Sequence, residues 1–178
     1  MAIAIVLTVR VLGSLPVLRW PFVGAIIALL ADASDVFLLN LLDMSAMSHY
    51  QQFDKWADQV YMLTFLIVAL RWQGVTRSVA VGLYAYRLAG VVAFEVTGVR
   101  VLLMVFPNLF EFWFIFVASL PHWRPQLALA PQRALSALPL LLVAKEGQEF
   151  VLHGARWLDG FTALDALHAI WGWLTFPF

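Results

Sequence analysis

Between Trp20 and Leu42 the chain runs for 23 residues with only two charged side chains, Asp32 and Asp35. About 20 apolar residues in a helix cross the hydrocarbon core of a bilayer. Few soluble folds can absorb such a run, and this chain has several. Trp56–Trp72 is shorter and bracketed by tryptophans, ring systems that favour the headgroup level. Ser78–Phe106 is longer, roughly 43 Å as a helix, so it should tilt or protrude. Asn108–Leu120 is short and dense in aromatics, and Arg133–Gly154 and Phe161–Phe178 follow. The expected fold is therefore all-α: a polytopic transmembrane bundle of about six helices, forming one integral membrane domain over residues 1–178.

Composition agrees. Charged residues make up 12% of the chain, against about 25% in soluble domains. That argues against a soluble enzyme and a disordered tail. Lys plus Arg equals Asp plus Glu at 11 each, leaving no basic excess for a nucleic-acid backbone. The absence of cysteine removes disulfides, thiolate metal sites and Cys nucleophiles.

Residues 1–18 read as an interfacial or half-inserted helix. Ala2–Val9 is apolar, but it lacks the basic flank and small-residue cleavage pattern of a signal peptide. Pro107 ends the long span, and Asn108 with Glu111 has capping-box spacing. If residues 1–18 do not cross, Arg10, Arg19, Arg71, Arg77, Arg124 and Arg133 share one side. Only Lys55 and Arg156 lie on the other, which predicts both termini to be cytoplasmic. The partners implied are membrane lipid and either a further copy or another membrane subunit.

Ionisable side chains inside a membrane are costly, and they mark functional sites by default. Here they form three groups. Asp32 and Asp35 are three apart, and Asp54 and Asp58 four apart, so each pair projects from one helical face. Two such helices joined by a short connection can aim four carboxylates at one point, which suits a divalent cation. Capping by Asp54 and neutralisation by Lys55 or Arg87 would account for the same acids structurally. The second group, Arg87, Glu95 and Arg100, lies on the long span. There Gly82, Gly90 and Gly98 recur every eight residues, with Ala89, Ala93 and Thr97 every four. Small residues at such intervals permit close helix approach. This predicts a central helix packed on all sides, its arginines pairing with acids or holding an anion. The third group is Lys145, Glu146, Glu149 and His153. Spacings of four allow either a shared metal or a local salt bridge. Phe106, Phe110, Phe112, Trp113, Phe114 and Phe116 read as a greasy surface suited to lipid or a partner helix.

Asp32-x-x-Asp35 followed by Asp54-x-x-x-Asp58 resembles the acidic signature of the CDP-alcohol phosphotransferases. The resemblance covers residues 32–58, with Val36 where that family has Gly and Leu39-Asn40 where it has Ala-Arg. It implies two divalent ions, Mg or Mn, held by Asp32, Asp35 and Asp54, with Asp58 as catalytic base. The expected function is a divalent-metal-dependent membrane enzyme acting on a lipid-linked or phosphate-bearing substrate. Two alternatives are a cation- or proton-coupled transporter using the same acids, and a small structural subunit of a larger membrane complex.

Overall fold

A computed structural model describes residues 2–41, 50–99, 101–123 and 131–149, together with 171, 172 and 175. Among the described residues every regular element is helical. The helices are α1 (Ala2–Ser14), α2 (Pro21–Leu41), α3 (Tyr50–Ala69), α4 (Gly74–Thr97), α5 (Val101–Val105), α6 (Leu109–Trp123) and α7 (Pro131–Glu149). A 3₁₀ turn, Leu15–Leu18, links α1 to α2. The chain divides into two units, Met1–Lys145 and Glu146–Phe178. Of the second, the described part comprises the last turn of α7, Gly172 and the exposed Trp171, whose carbonyl accepts a hydrogen bond from Thr175.

Within the first unit α1 and α2 form an antiparallel hairpin. Pro16 presets the backbone of the 3₁₀ turn, and its carbonyl accepts from the N–H groups of Arg19 and Trp20. One face of α1, formed by Val6, Arg10, Ser14 and Val17 with the turn, is buried against α2 and α3. α1 thus packs along both α2 and α3. The pairings Arg10–Asp58 and Arg71–Leu18 carbonyl set α1 parallel to α3.

The long span predicted over Ser78–Phe106 breaks at Gly98, which adopts φ 69° and caps α4 by donating its N–H to the Phe94 carbonyl. A left-handed residue ends a helix, and glycine takes that conformation without steric cost. The chain then folds back beside α4. Tyr86 donates to the Val105 carbonyl, and Gly90 lies under the Phe106 ring. By length and composition α4 qualifies to cross a membrane, with 28% of its most apolar stretch buried. Ala4–Leu18, Pro21–Ser34, Trp56–Ala69 and Leu109–Leu120 are apolar but shorter.

The small-residue pattern on α4 has a different meaning from the one expected. A side chain at Gly82 would meet open space, and Ala89 and Thr97 are exposed. Gly90 alone of the three repeated glycines is a packing contact; a Cβ there would overlap the Phe106 side chain. We therefore expect Gly90→Leu to destabilise the fold by about 1–3 kcal/mol through overpacking. Gly82→Ala should instead stabilise it by about 0.5–1 kcal/mol through helix propensity. Thermal unfolding of the two variants in one detergent compares them directly, and equal shifts would contradict the assignment.

The core lies between α3 and α6. Phe110, Trp113 and Phe114 are fully buried, so of the two roles open to the aromatic run these three take contact with partner helices. Phe114 stacks between Phe65 at 4.2 Å and Trp72 at 5.2 Å, and Tyr84 meets Phe110 edge-on at 5.5 Å. Each such pair contributes about 0.5–1.5 kcal/mol beyond the burial of its area. Trp113 satisfies its indole N–H at the Thr76 carbonyl, 3.1 Å away, which pins α6 to the first turn of α4.

Candidate functional site

The face of α1 that carries Val6, Ser14 and Val17 also carries Arg10, which is 3% exposed. Its Nη1 lies 2.8 Å from Asp32 Oδ1 on α2 and donates a 2.8 Å hydrogen bond to Asp58 Oδ1 on α3. Asp58 is buried and Asp32 partly so. A guanidinium is a planar cation that tolerates burial when its donors meet carboxylates. The geometry thus ties three helices together at one charge. Two of the four expected acids, Asp32 and Asp58, do converge, and they converge on an arginine. The side chains of Asp35 and Asp54 lie outside the described residues.

One turn along α3 from Asp58, Tyr61 faces α6. Its hydroxyl donates to Glu111 Oε2 at 3.2 Å, and Asn108 Nδ2 donates both to Tyr61 Oη at 3.1 Å and to Glu111 Oε2 at 3.0 Å. All three residues are buried. Asn108 and Glu111 do stand at the start of α6, but they bond to each other through their side chains. Among the described residues Asn108 Oδ1 has no hydrogen-bond partner. Leaving a buried acceptor unsatisfied costs about 1–3 kcal/mol. Beside this node Gln59 accepts from Tyr84 Oη at 3.4 Å.

Arg87 is buried on α4 and donates from Nη1 to the Phe106 carbonyl at 2.8 Å. Pro107 lacks an N–H to continue α5, and the chain turns there so that this carbonyl meets α4. Lys145 is buried on α7 with its ammonium 5.5 Å from the centre of the Phe112 ring. Glu111 feels the charges of Lys145, Asp58 and Arg87. Three cations, Arg10, Arg87 and Lys145, are thus set among three acids, Asp32, Asp58 and Glu111. Glu95 is half-buried on α4, and its Oε1 makes no hydrogen bond among the described residues. Arg100 and His153 and the side chain of Glu149 lie outside the described residues.

Would this donor set hold a divalent ion? Among the described residues no three Asp, Glu or His side chains gather at one point. The position between Asp32 and Asp58 is taken by the Arg10 guanidinium. The described carboxylates alone therefore do not make a Mg or Mn site.

Sequence reasoning missed Arg10, Tyr61, Asn108 and Glu111 as members of the polar interior. Arg10 had a readable signal, because Val6, Arg10, Ser14 and Val17 recur at helical spacing. Tyr61 carried a weaker one, three residues beyond Asp58. Set against protein-family models, curated proteins and solved structures, the chain matches none of them.

Proposed function

We propose that the chain is a multi-pass integral membrane protein whose interior acids and bases carry protons or a cation across the bilayer. The observation behind this reading is the balanced network of Arg10, Asp32, Asp58, Glu111, Arg87 and Lys145 inside a bundle with an apolar exterior. Leu12, Leu30, Val96 and Met104 are each more than 60% exposed, while Arg10, Asp58 and Glu111 are each less than 9% exposed. Water makes that distribution unfavourable on both sides; lipid makes the exterior favourable and leaves the interior to function. By helical rise, Arg10, Asp32 and Asp58 sit roughly 15–20 Å from the end that bears Arg19 and Arg71. That is near the middle of a hydrocarbon core about 30 Å thick. Buried Asp and Glu side chains at such depth are the usual elements of proton relays.

In this reading the end carrying Arg19, Arg71 and Arg77 faces the cytoplasm, following the Lys and Arg bias. The end of α2 at Leu41 and the start of α3 at Tyr50 then lie on the opposite side. Because α1 runs along α2, it carries the first residues to that opposite side as well, unlike the shared cytoplasmic termini expected from a non-crossing segment.

The test is potential-driven proton uptake into proteoliposomes containing a trapped pH-sensitive dye. Wild-type protein should acidify the lumen well above protein-free vesicles. Glu111→Gln keeps the shape and an acceptor for Tyr61, and should lower the rate more than tenfold while unfolding remains cooperative. Equal rates in wild-type and empty vesicles, with Na⁺ and K⁺ gradients equally silent, would favour a structural subunit.

A second reading, a divalent-metal-dependent enzyme on a phosphate-bearing substrate, draws on the convergence of Asp32 and Asp58 from separate helices. It requires Arg10 to withdraw and Asp35 and Asp54 to join. Mg²⁺ or Mn²⁺ raising the unfolding temperature of wild type but not of Asp58→Asn would favour it over transport.

A further inference from the structure

At the basic end of the bundle, where the 3₁₀ turn meets α2 and the α3–α4 connection meets α6, a groove of about 570 Å³ opens to the surface. Cavities of about 300–1,000 Å³ are the range that holds small ligands and headgroups. Arg19, Trp20, Phe22, Trp72, Thr76 and Val117 contribute to its lining, and no lining residue is acidic. We propose that this groove binds one anionic phospholipid, its phosphate at Arg19, with Arg71, which lies outside the lining but is held at the neighbouring Leu18 carbonyl, as the second cation, and an acyl chain along Phe22 and Val117. The proposal rests on the reading of the chain as a membrane protein.

Three observations argue for that occupant. The charge is complementary: Arg19 is exposed and its side chain makes no ion pair among the described residues. Arg71 is held beside it, its Nη1 3.3 Å from the Leu18 carbonyl, and still exposed to a second acceptor. The lining is amphipathic, combining the Arg19 guanidinium and the Thr76 hydroxyl with the apolar Phe22, Val23, Val117 and Ala118, which suits a lipid better than a free oxyanion. The position also fits. Trp20 is 61% exposed, and an exposed tryptophan beside arginines is the composition of a membrane–water interface. Anionic lipids are concentrated in the cytoplasmic leaflet, the side to which the arginine bias assigns this end.

The test is native mass spectrometry of the full chain, released from neutral detergent after incubation with equal amounts of phosphatidylglycerol and phosphatidylcholine. One phosphatidylglycerol should be retained in preference by about tenfold or more. Removing an arginine near an anionic headgroup weakens binding roughly fivefold, so Arg19→Gln/Arg71→Gln should bring the two lipids to near parity. Arg133→Gln, an exposed arginine on α7, should leave the preference unchanged. Parity in wild type, or an unaltered preference in the double variant, overturns the proposal. So does displacement of the lipid by millimolar inorganic phosphate, which would make the groove an oxyanion site. The failure of the underlying reading is separate: protein that stays monodisperse without detergent is not a membrane protein, whatever lipid it retains.

Discussion

Arg10→Met should destabilise the protein by about 3–5 kcal/mol, the largest loss expected from any single change in charge. The cost does not come from the net strength of the ion pairs, because two desolvated partners gain little over an apolar replacement of the same volume. It comes from what the substitution leaves behind. Asp58 is 8% exposed and accepts the 2.8 Å bond from Arg10; Asp32 Oδ1 lies at the same distance from that one nitrogen. Without the guanidinium, two carboxylates from adjacent helices face each other in a low-dielectric interior. They must then protonate, admit water or separate, and each route loosens the contacts among α1, α2 and α3. A companion variant isolates the cause. Arg10→Met/Asp32→Asn/Asp58→Asn removes all three charges together and should recover at least half of the loss. Reversible unfolding in mixed micelles gives both numbers. A loss below about 0.5 kcal/mol in the single variant would mean that water already reaches this position.

The bundle was legible from the sequence because apolar runs and their breakers are local signals. α2 and α6 begin within a residue of where Trp20 and Asn108 placed them, and Pro107 does separate two helices. The failures have physical causes too. Gly98 was counted as part of a packing stripe, yet its backbone turns left-handed and ends α4; one glycine can serve either role, and spacing does not distinguish them. The sequence leaves the aromatics of α6 suited equally to lipid and to a partner helix, because an apolar ring carries no local sign of which it meets. Which face is inward depends on partners that are distant in sequence, here Phe65, Trp72 and Tyr84. Of the polar interior, Asp32, Asp58 and Arg87 are readable as charges set within apolar stretches. Arg10 counts only toward the charge bias when residues 1–18 are read as an interfacial or half-inserted helix, and that reading does not bring it to Asp32 and Asp58. Glu111 was absorbed by a capping pattern that it satisfies in sequence but not in bonding, since its carboxylate meets the side chains of Tyr61 and Asn108. Sequence spacing reports which residues share a helix face; it does not report which helix that face meets.

An effect of comparable size is expected at Gly24, where the obstacle is backbone. A Cβ on Gly24 would overlap main-chain atoms of Pro16 and Val17 in the 3₁₀ turn, far inside van der Waals contact. Side-chain overpacking usually costs about 1–3 kcal/mol because a neighbouring rotamer can yield. Here no rotamer is available. Pro16 has a ring-locked φ, and its carbonyl is held by the N–H groups of Arg19 and Trp20 at 3.1 and 2.8 Å. Gly24 itself donates to the Trp20 carbonyl at 2.7 Å, so α2 cannot slide away without breaking its first turn. Gly24→Ala should therefore exceed about 3 kcal/mol, and Gly24→Val should prevent the α1–α2 hairpin from closing. The consequence reaches the site, because that hairpin sets the register in which Arg10 faces Asp32. In Gly24→Ala the Arg10→Met substitution should then cost measurably less than in wild type, a coupling that a double-mutant cycle reads directly. Strict additivity of the two changes would mean that the hairpin contact and the ion pair are independent, and the close approach at Gly24 would be a local feature without bearing on the charged interior.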